Sequence, residues 1–246
     1  MRWLQIIQVQ GCKKSRKQES KKSRNQFADY KNIMARNIDP KCKQCRREGV
    51  KLFLKGERCL SSKCALTKRN YIPGVHGVKL GRGGRLTGYG TQLREKQKAK
   101  KTYRVLEAQF KKYFDEAKKK KGNTAELLFQ LLERRLDNVV FQAGFSAGRN
   151  LARQLVRHGH FLVNGKKVNI PSFSVKIKDK VAVKPNSLKL KYFQDLEEKI
   201  KGKEKELPDW LALDAKSGEI TIVGLPDWQK TEPNFDLKQV IEFYSR

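Results

Sequence analysis

The pattern of apolar residues changes its period abruptly near residue 158, and this change limits the folds open to the chain. Before that point, with Ser146 as the predicted N-cap, apolar residues recur at helical spacing at Leu151, Leu155 and Val156. Beyond it they alternate on both sides of Asn164-Gly165, at Phe161, Val163, Val168 and Ile170. Asn-Gly between alternating residues is typical of a tight β-hairpin. The sequence therefore predicts a helix packed on a small antiparallel sheet.

The other apolar patterns predict mostly helices. Leu106, Phe110 and Phe114 recur every four residues, within one amphipathic helix that starts near Leu93 and ends before Gly122. Asn123 and Glu126 have the spacing of a capping box, which predicts the start of another helix. Seven glycines in residues 74–90 predict a loop connector, and further strand residues are expected at Val175, Ile177, Val181 and Val183. We expect an α+β fold that is predominantly helical.

Four cysteines lie close together in a segment poor in apolar residues: Cys42, Cys45, Cys59 and Cys64. Two short pairs joined by a loop fit one tetrahedral Zn²⁺ ion, and four thiolates leave no open position for catalysis. Two disulfides are the alternative, but the chain has no convincing secretion signal, so zinc is favoured. The sequence predicts a structural zinc knuckle over residues 34–69, with Cys12 as a free thiol.

The charge of the chain points to a polyanionic partner. Lys and Arg number 56 against 25 Asp and Glu, which gives a formal net charge of +31. Self-repulsion on this scale is relieved when phosphates are bound and counterions are released. No run of 18 apolar residues is present, so a transmembrane helix is not expected. A nucleic acid is the expected partner.

The predicted basic helix carries arginines at a spacing of four, at Arg149, Arg153 and Arg157. Such like-charge spacing is unfavourable, and we expect no acidic partner to offset it, which favours a missing anion over an ordinary solvated face. The same basic surface is expected to continue around the hairpin through His158, His160, Asn164, Lys166 and Lys167. No aromatic stacking platform is evident, which favours folded or double-stranded RNA.

Residues 1–33 hold nine Lys and Arg against two acidic residues, with little that could form a core. We interpret them as a disordered basic extension. An upstream sequence that precedes a start at Met34, and an organelle transit peptide, are the alternatives.

Several segments resemble one known family. They are MARN (34–37), the cysteine quartet, PGVHG (73–77), YGTQLREKQK (89–98), RLDNVVFQAGFSAGRNLARQLVRHGHFLVNGKKVNIPS (135–172) and EFYSR (242–246). Their joint occurrence in this order resembles the bacterial small-subunit ribosomal protein S4 family, in its zinc-containing, four-cysteine form. The resemblance extends from Met34 to Arg246.

The resemblance implies a domain order. After the zinc segment, it implies a helical domain formed by residues 70–132 and 196–246. An S4-type RNA-binding domain, a helix pair with a small antiparallel sheet, is inserted as residues 133–195. The resemblance also adds Lys96, Lys98 and Asn150 to the expected RNA-contacting residues.

The implied function is that of a structural constituent of the cytoplasmic small ribosomal subunit. Members of the family bind the 5′ domain of 16S rRNA as a primary protein and nucleate 30S assembly. The resemblance further implies contact with ribosomal protein S5, a role in translational accuracy, and a basic surface near the place where mRNA enters. No enzymatic activity, membrane or small-molecule substrate is expected.

Two alternatives were weighed against this interpretation. The same RNA-binding module occurs in pseudouridine synthases, in which a catalytic aspartate follows an Arg-Leu motif, as in Arg135-Leu136-Asp137. Asp137 is better interpreted as a cap or first-turn acid of a short helix, and too few residues follow for a catalytic domain. A zinc-dependent DNA-binding regulator would need finger-type Cys and His spacing, which the sequence lacks.

Overall fold

The computed structural model describes residues 37–77, 86–194, 207–214, 218–231 and 233–246. The described residues from Ile38 onward belong to one compact unit. The predictions for residues 1–33, including Cys12, lie outside the described residues. None of the described helices is both long and apolar enough to span a bilayer.

Helices dominate the described residues. They are α1 (Lys41–Glu48), α2 (Glu57–Leu60), α3 (Ala65–Lys68), α4 (Gly88–Thr102), α5 (Glu107–Lys119), α6 (Thr124–Glu133), α7 (Leu136–Gln142), α8 (Arg149–Arg157), α9 (Pro185–Leu188), α10 (Lys191–Gln194), α11 (Trp228–Thr231) and α12 (Leu237–Ser245). The strands are β1 (Phe161–Val163), β2 (Lys166–Lys167), β3 (Lys180–Val183), β4 (Leu211–Asp214) and β5 (Glu219–Ile222). A helical fold with a small antiparallel sheet is thus confirmed.

The described strands form one antiparallel sheet in the order β2-β1-β3-β5-β4. Val163 pairs with Lys166 across the predicted hairpin turn. Asn164 and Gly165 have φ of 49° and 77°, the left-handed conformations that a tight two-residue hairpin requires. The sequence therefore predicted the hairpin correctly, because its turn chemistry is local.

Helices α7 and α8 cover this sheet with the larger apolar cluster. Phe161, Val181 and Ile220 on the strands are fully buried against Val140 and Val156 on the helices. Burying one such side chain stabilises the fold by about 1.5–3 kcal/mol. The rings of Phe145 and Phe161 meet edge to face, with centroids 5.7 Å apart. The predicted packing of a helix on a small sheet is therefore present.

Strands β4 and β5 correct the expected domain boundary. Residues 196–246 were assigned as a whole to the helical domain, yet β5 pairs with β3, and Leu211 and Ile220 are buried in the sheet cluster. Helix α12 instead packs on α4 and α6. The C-terminal segment is divided because β3 leaves an edge that its first part completes.

The second apolar cluster joins α4, α5, α6 and α12. Phe110, Phe129 and Leu132 are fully buried in it, together with Val240 of the last helix. Tyr244 stacks on Phe114 with ring centroids 4.9 Å apart. Helix α6 begins as predicted, because the Asn123 side chain accepts a hydrogen bond from the Ala125 N–H. These four helices therefore pack their apolar faces together and form one helical layer.

The prediction of a single helix from Leu93 onward is wrong. It is divided into α4 and α5 at Arg104, whose φ is 58°. The Arg104 Nε donates to Asn150 Oδ1 at 2.8 Å, and Leu106 becomes the N-cap of α5. The apolar spacing persists across the break, so it did not reveal the turn.

The connector expected over residues 74–90 is also shorter than predicted, because Gly88 and Gly90 lie in the first turn of α4.

The start of the basic helix also differs from the prediction. Gly148, not Ser146, is the N-cap of α8, and the Ser146 hydroxyl donates to the Gly148 carbonyl at 3.2 Å. Gly56 of the cysteine segment passes directly beside this start. A Cβ at Gly56 would lie 2.4 Å from the Ala147 carbonyl oxygen, and its φ is +60°. Close backbone packing from another segment therefore sets where the helix begins.

Candidate RNA interface

Arg149 lies at the start of α8 and is held by side chains from neighbouring elements. Its Nε donates to Asn138 Oδ1 at 2.8 Å. The guanidinium carbon lies 4.5 Å from the Phe141 ring centroid and 5.2 Å from that of Tyr103. Cation–π contacts of this kind favour a fixed orientation. Arg149 remains partly exposed, so it can meet a ligand from a defined position.

Arg153 and Arg157 follow on the same face of α8, one turn apart. Arg157 is exposed. Arg153 Nη1 lies 3.8 Å from Asp137 Oδ2 and 3.4 Å from the Arg104 carbonyl oxygen. The expectation that these arginines have no acidic partner is therefore wrong for Arg153. The partner lies on α7, and helical spacing within α8 does not reveal it.

Asn150 is engaged within the protein. Its Oδ1 accepts the 2.8 Å hydrogen bond from Arg104, which helps to fix the break between α4 and α5. Asn150 lies beside Arg149 in the sequence and is half-buried. The structure gives it a positioning role in this contact.

The hairpin brings a second basic group to the end of α8. The rings of His158 and His160 stack with centroids 6.0 Å apart. The Lys167 side chain lies over Gly159, where a Cβ would be 2.3 Å from its Cε. Lys166 and Lys167 are exposed. The exposed lysines of the hairpin therefore lie near the C-terminal end of α8.

His160 contributes through a defined hydrogen bond. Its Nδ1 lies 2.9 Å from the Ser187 hydroxyl of α9. Burial lowers the pKa of His160 below its usual value, and the neighbouring His158, Lys167 and Lys184 lower it further. The lowered pKa favours the neutral form of the ring, which can still donate or accept one hydrogen bond.

Asn164 serves the turn. Its Nδ2 donates to Asp179 Oδ1 at 2.8 Å, and its Oδ1 accepts from the Lys180 N–H at 2.9 Å. These bonds join the hairpin to β3. The exposed tip is thereby held rigid beside the lysines of β2.

Lys96 does not lie on an RNA-accessible surface, contrary to the prediction. It is 5% exposed, and its Nζ donates to Glu107 Oε1 at 2.7 Å and lies 4.6 Å from the Phe243 ring centroid. Burial would raise the pKa of Glu107, but hydrogen bonds from Lys100, Lys96 and Tyr244 lower it to about 2. Lys96 thus joins α4 to α5 and α12, because its long side chain lies under their aromatic rings.

Lys98, the other lysine predicted on α4, is half-buried. Its Nζ pairs with Glu95 one turn away, at 2.5 Å. This partner is local and visible in the sequence. The charge of Lys98 is therefore offset by a carboxylate on its own helix.

The four cysteines of the N-terminal segment line one small cavity, together with Lys55 and Arg58. All four are free thiols. Burial raises the pKa of Cys45, and the thiolates of Cys59, Cys42 and Cys64 raise it further. As they stand, the described residues contain no group of three or more Cys, His, Asp or Glu side chains that could hold a metal ion. The four cysteines that the sequence groups together therefore lie around one cavity.

This segment is fastened to α4 by a buried carboxylate at the end of α1. Glu48 pairs with Lys101 and lies 3.6 Å from Arg94, whose Nη1 also donates to the Arg47 carbonyl at 3.1 Å. The Glu48 side chain is 1% exposed. The cysteine segment therefore holds a fixed position beside the helices.

Asp137, the candidate catalytic residue, is buried in an ion pair. Arg135 donates to it through Nε at 3.0 Å and Nη2 at 2.7 Å, and through Nη1 to the Tyr113 hydroxyl at 2.7 Å. Asp137 is 4% exposed and lies in the first turn of α7. Its carboxylate fixes a buried arginine, which supports the interpretation as a first-turn acid and weighs against catalysis.

A buried polar network behind Arg149 escaped the sequence analysis. It centres on Glu133 and Asn138, which are 2% and 1% exposed. The sequence signal for such a network is a polar residue at a helix position where the pattern predicts an apolar one. A polar side chain that is buried there needs hydrogen-bond partners.

A cavity of about 450 Å³ lies beside the C-terminal strands. Its wall includes Trp210, Val223 and Leu225, and Asp209 and Asp227 add carboxylates. Val223 and Leu225 are 58% and 46% exposed. Apolar and acidic side chains of this kind differ from the basic face of α8.

Comparison with known proteins places these features in a family. The model of the ribosomal protein S4/S9 N-terminal domain matches residues 36–133, and that of the S4 domain matches residues 134–181. Small ribosomal subunit protein uS4A of Alkaliphilus metalliredigens is 49% identical over 213 residues, which are 87% of this chain and all of that protein. The uS4 proteins of Desulfitobacterium hafniense and Aromatoleum aromaticum are each 50% identical, with the same coverage.

Proposed function

Since the chain belongs to the uS4 family of small ribosomal subunit proteins, we propose that it is a structural, non-enzymatic constituent of the cytoplasmic small subunit. In this proposal it binds the 5′ domain of 16S rRNA as a primary protein and nucleates 30S assembly. The observation that carries the proposal is the basic face formed by α8 and the hairpin.

The chemistry of this face suits a folded RNA. Arg149, Arg153 and Arg157 recur at one turn of α8, and Lys166 and Lys167 continue the row at its end. Phosphate contacts from such a row position a protein on a duplex, whereas stacking platforms would suit single strands. Aromatic and carboxylate side chains hold arginines of α8 in place, so their guanidinium groups are presented in a fixed pattern. RNA that presents phosphates in a matching pattern is therefore favoured.

Binding to an isolated 5′-domain fragment of 16S rRNA tests the function. We expect a complex whose log affinity falls linearly with log salt concentration, by about 0.7–0.9 per neutralised phosphate. The protein should also sediment with small subunits, and it should leave the RNA chemically unchanged. Equal affinity for an unrelated RNA of the same length would contradict the proposal. A modified nucleotide formed by the pure protein would favour the pseudouridine synthase alternative.

We propose that the four cysteines hold one structural zinc ion, with Cys42, Cys45, Cys59 and Cys64 as ligands. Their convergence on one cavity and their free thiols support this. The apolar cluster of the segment, formed by Cys45, Leu52 and Leu54, is also too small to stabilise much of it. Bound zinc would deprotonate the thiols and cross-link the two pairs. All four positions would be occupied, so the ion would stabilise the fold only.

Removal of the metal is expected to unfold selectively the described part of the predicted zinc segment, residues 37–69, because structural zinc contributes on the order of 10 kcal/mol to such segments. Elemental analysis of the purified protein should find one zinc per chain. Limited proteolysis after chelation should cut this segment first, and added Zn²⁺ should restore protection. The Cys45→Ser variant should be cut without chelation. Zinc-free protein with an intact, protease-resistant segment would refute the proposal.

We further propose that ribosomal protein S5 contacts the cavity beside the C-terminal strands. Its apolar wall supports a protein partner. Its charged side chains are of both signs, since Lys230 pairs with Asp209 at 3.1 Å near Asp227, and such a mixed surface also suits a protein. An effect on translational accuracy would follow from this contact.

We also propose that the basic surface contacts mRNA, a second polyanion, at the place where the mRNA enters the subunit.

A further inference from the structure

We propose that Asn138 is a positioning residue for RNA binding, which holds the guanidinium of Arg149 in one orientation. The inference rests on the proposed function, since it assigns a role to the support of the RNA face. Asn138 lies on α7 and is 1% exposed, so it cannot meet RNA itself. It acts through the bond that its Oδ1 accepts from Arg149 Nε at 2.8 Å.

The contacts of Asn138 permit one orientation of its amide. Its Nδ2 donates to the Glu133 carbonyl oxygen at 3.1 Å and to Glu133 Oε2 at 2.7 Å. Both of these atoms are acceptors. A rotated amide would direct its oxygen at the two Glu133 oxygens and its NH₂ group at the guanidinium, so all three hydrogen bonds would be lost. Glu133 therefore determines that Asn138 presents an acceptor to Arg149.

Glu133 is itself held as an acceptor by two other donors. It receives hydrogen bonds from the Tyr103 hydroxyl and from Gln142 Nε2. Burial raises the pKa of Tyr103 well above its usual value, and the charge of Glu133 raises it further, so the phenol keeps its proton. Tyr103 connects the end of α4 to this network. The helical layer and the RNA-binding helix thus share one buried carboxylate.

The Tyr103 ring also supports Arg149 directly. The guanidinium carbon lies 5.2 Å from its centroid and 4.5 Å from that of Phe141. Aromatic contacts set the plane of the guanidinium, and the bond from Nε to Asn138 sets its rotation within that plane. The two Nη groups carry the other four of its five N–H donors, which suit a phosphate in a forked arrangement. A fixed fork loses less entropy on binding than a mobile side chain.

A double-mutant cycle tests the inference, with binding to the 5′-domain fragment of 16S rRNA as the measurement. Arg149→Ala should weaken binding by about 10-fold, and Asn138→Ala by about 5-fold. Because Asn138 acts through Arg149, the double variant should bind as Arg149→Ala does. Asn123→Ala is the matched control. It makes the same substitution at an asparagine whose side chain bonds with Ala125 and Glu126 at the start of α6, and it should stay within about 2-fold of the original affinity.

Each outcome of the cycle has a definite meaning. Additive losses, or unchanged binding by Asn138→Ala while Arg149→Ala is weakened, would overturn the positioning role and leave the proposed function standing. Unchanged binding by Arg149→Ala would contradict the proposal that the basic face of α8 binds RNA, and it would overturn the inference as well. Coupling together with a neutral Asn123→Ala would support the inference.

Arg149→Lys keeps the test decisive if Asn138→Ala fails to fold. Lysine keeps the charge at a half-exposed position but has no planar fork that Asn138 could orient. We expect it to bind about as weakly as Arg149→Ala. Original affinity in Arg149→Lys would show that charge alone suffices, and would overturn the inference without any change in the buried network.

Discussion

Replacing Asp137 with alanine is expected to lower the free energy of unfolding by about 3–5 kcal/mol, because it leaves the buried charge of Arg135 without its carboxylate. Arg135 is 2% exposed and would keep one neutral partner, the Tyr113 hydroxyl. A domain has only about 5–15 kcal/mol of stability in total. With a denaturant dependence of about 2 kcal/mol per molar urea, the unfolding midpoint should fall by roughly 2 M.

A control for this effect is an exposed ion pair on α5. Glu116 and Lys120 lie 2.9 Å apart at i and i+4, and both side chains are nearly half exposed. Glu116→Ala removes a carboxylate as Asp137→Ala does, yet it should cost only about 0–1 kcal/mol. If Asp137→Ala unfolded at the original midpoint, the structural role of this aspartate would be wrong and the catalytic alternative would regain support.

Replacing Arg149 and Arg153 together is expected to weaken binding to the 5′-domain rRNA fragment by about 100-fold. Two charge-assisted contacts at about 1.4 kcal/mol each give this factor. The slope of log affinity against log salt concentration should also fall by about 1.4–1.8, because two phosphates lose their cations. Both arginines are partly exposed, and Asp137 keeps its bonds from Arg135. The variant should therefore fold, which a melting curve checks.

The matched control removes the same charge from another helix. Lys118 and Lys119 lie exposed in the last turn of α5, a different helix from α8. Alanine at both positions lowers the net charge equally, so the long-range attraction to RNA should weaken equally. We expect this control to lose no more than about 3-fold in affinity. Equal losses in the two double variants would show that general charge, and not the face of α8, binds the RNA.

Much of the basic face could be predicted from the sequence, whereas its support could not. Arg157, Lys166 and Lys167 are exposed at the expected places because helix periodicity and turn chemistry are local. Lys96 was predicted beside them and is buried, because the rings that cover it come from α12. A contact partner about 150 residues away, such as Glu242 for Gln92, leaves no mark in a local pattern.

The energetic role of the arginines likewise depended on packing between elements. The spacing of Arg149 and Arg153 suggested cations without partners, but α7 brings Asn138 and Asp137 to them. The break at Arg104 follows from its bond to Asn150, which lies 46 residues away. Such contacts form only when the sheet and the helical layers pack. Periodicity reports which face of a helix is apolar, and it does not report what meets that face.

The amino-acid sequence by itself determined the hairpin at Asn164-Gly165, the helix that begins at Asn123 and the grouping of the four cysteines. Each follows from contacts between residues close in the chain. Only the tertiary structure decided that β4 and β5 complete the sheet, that Lys96 is buried, and that Glu133 and Asn138 support Arg149. The physical reason is that burial and charge pairing depend on distances in space, which packing sets between segments remote in sequence.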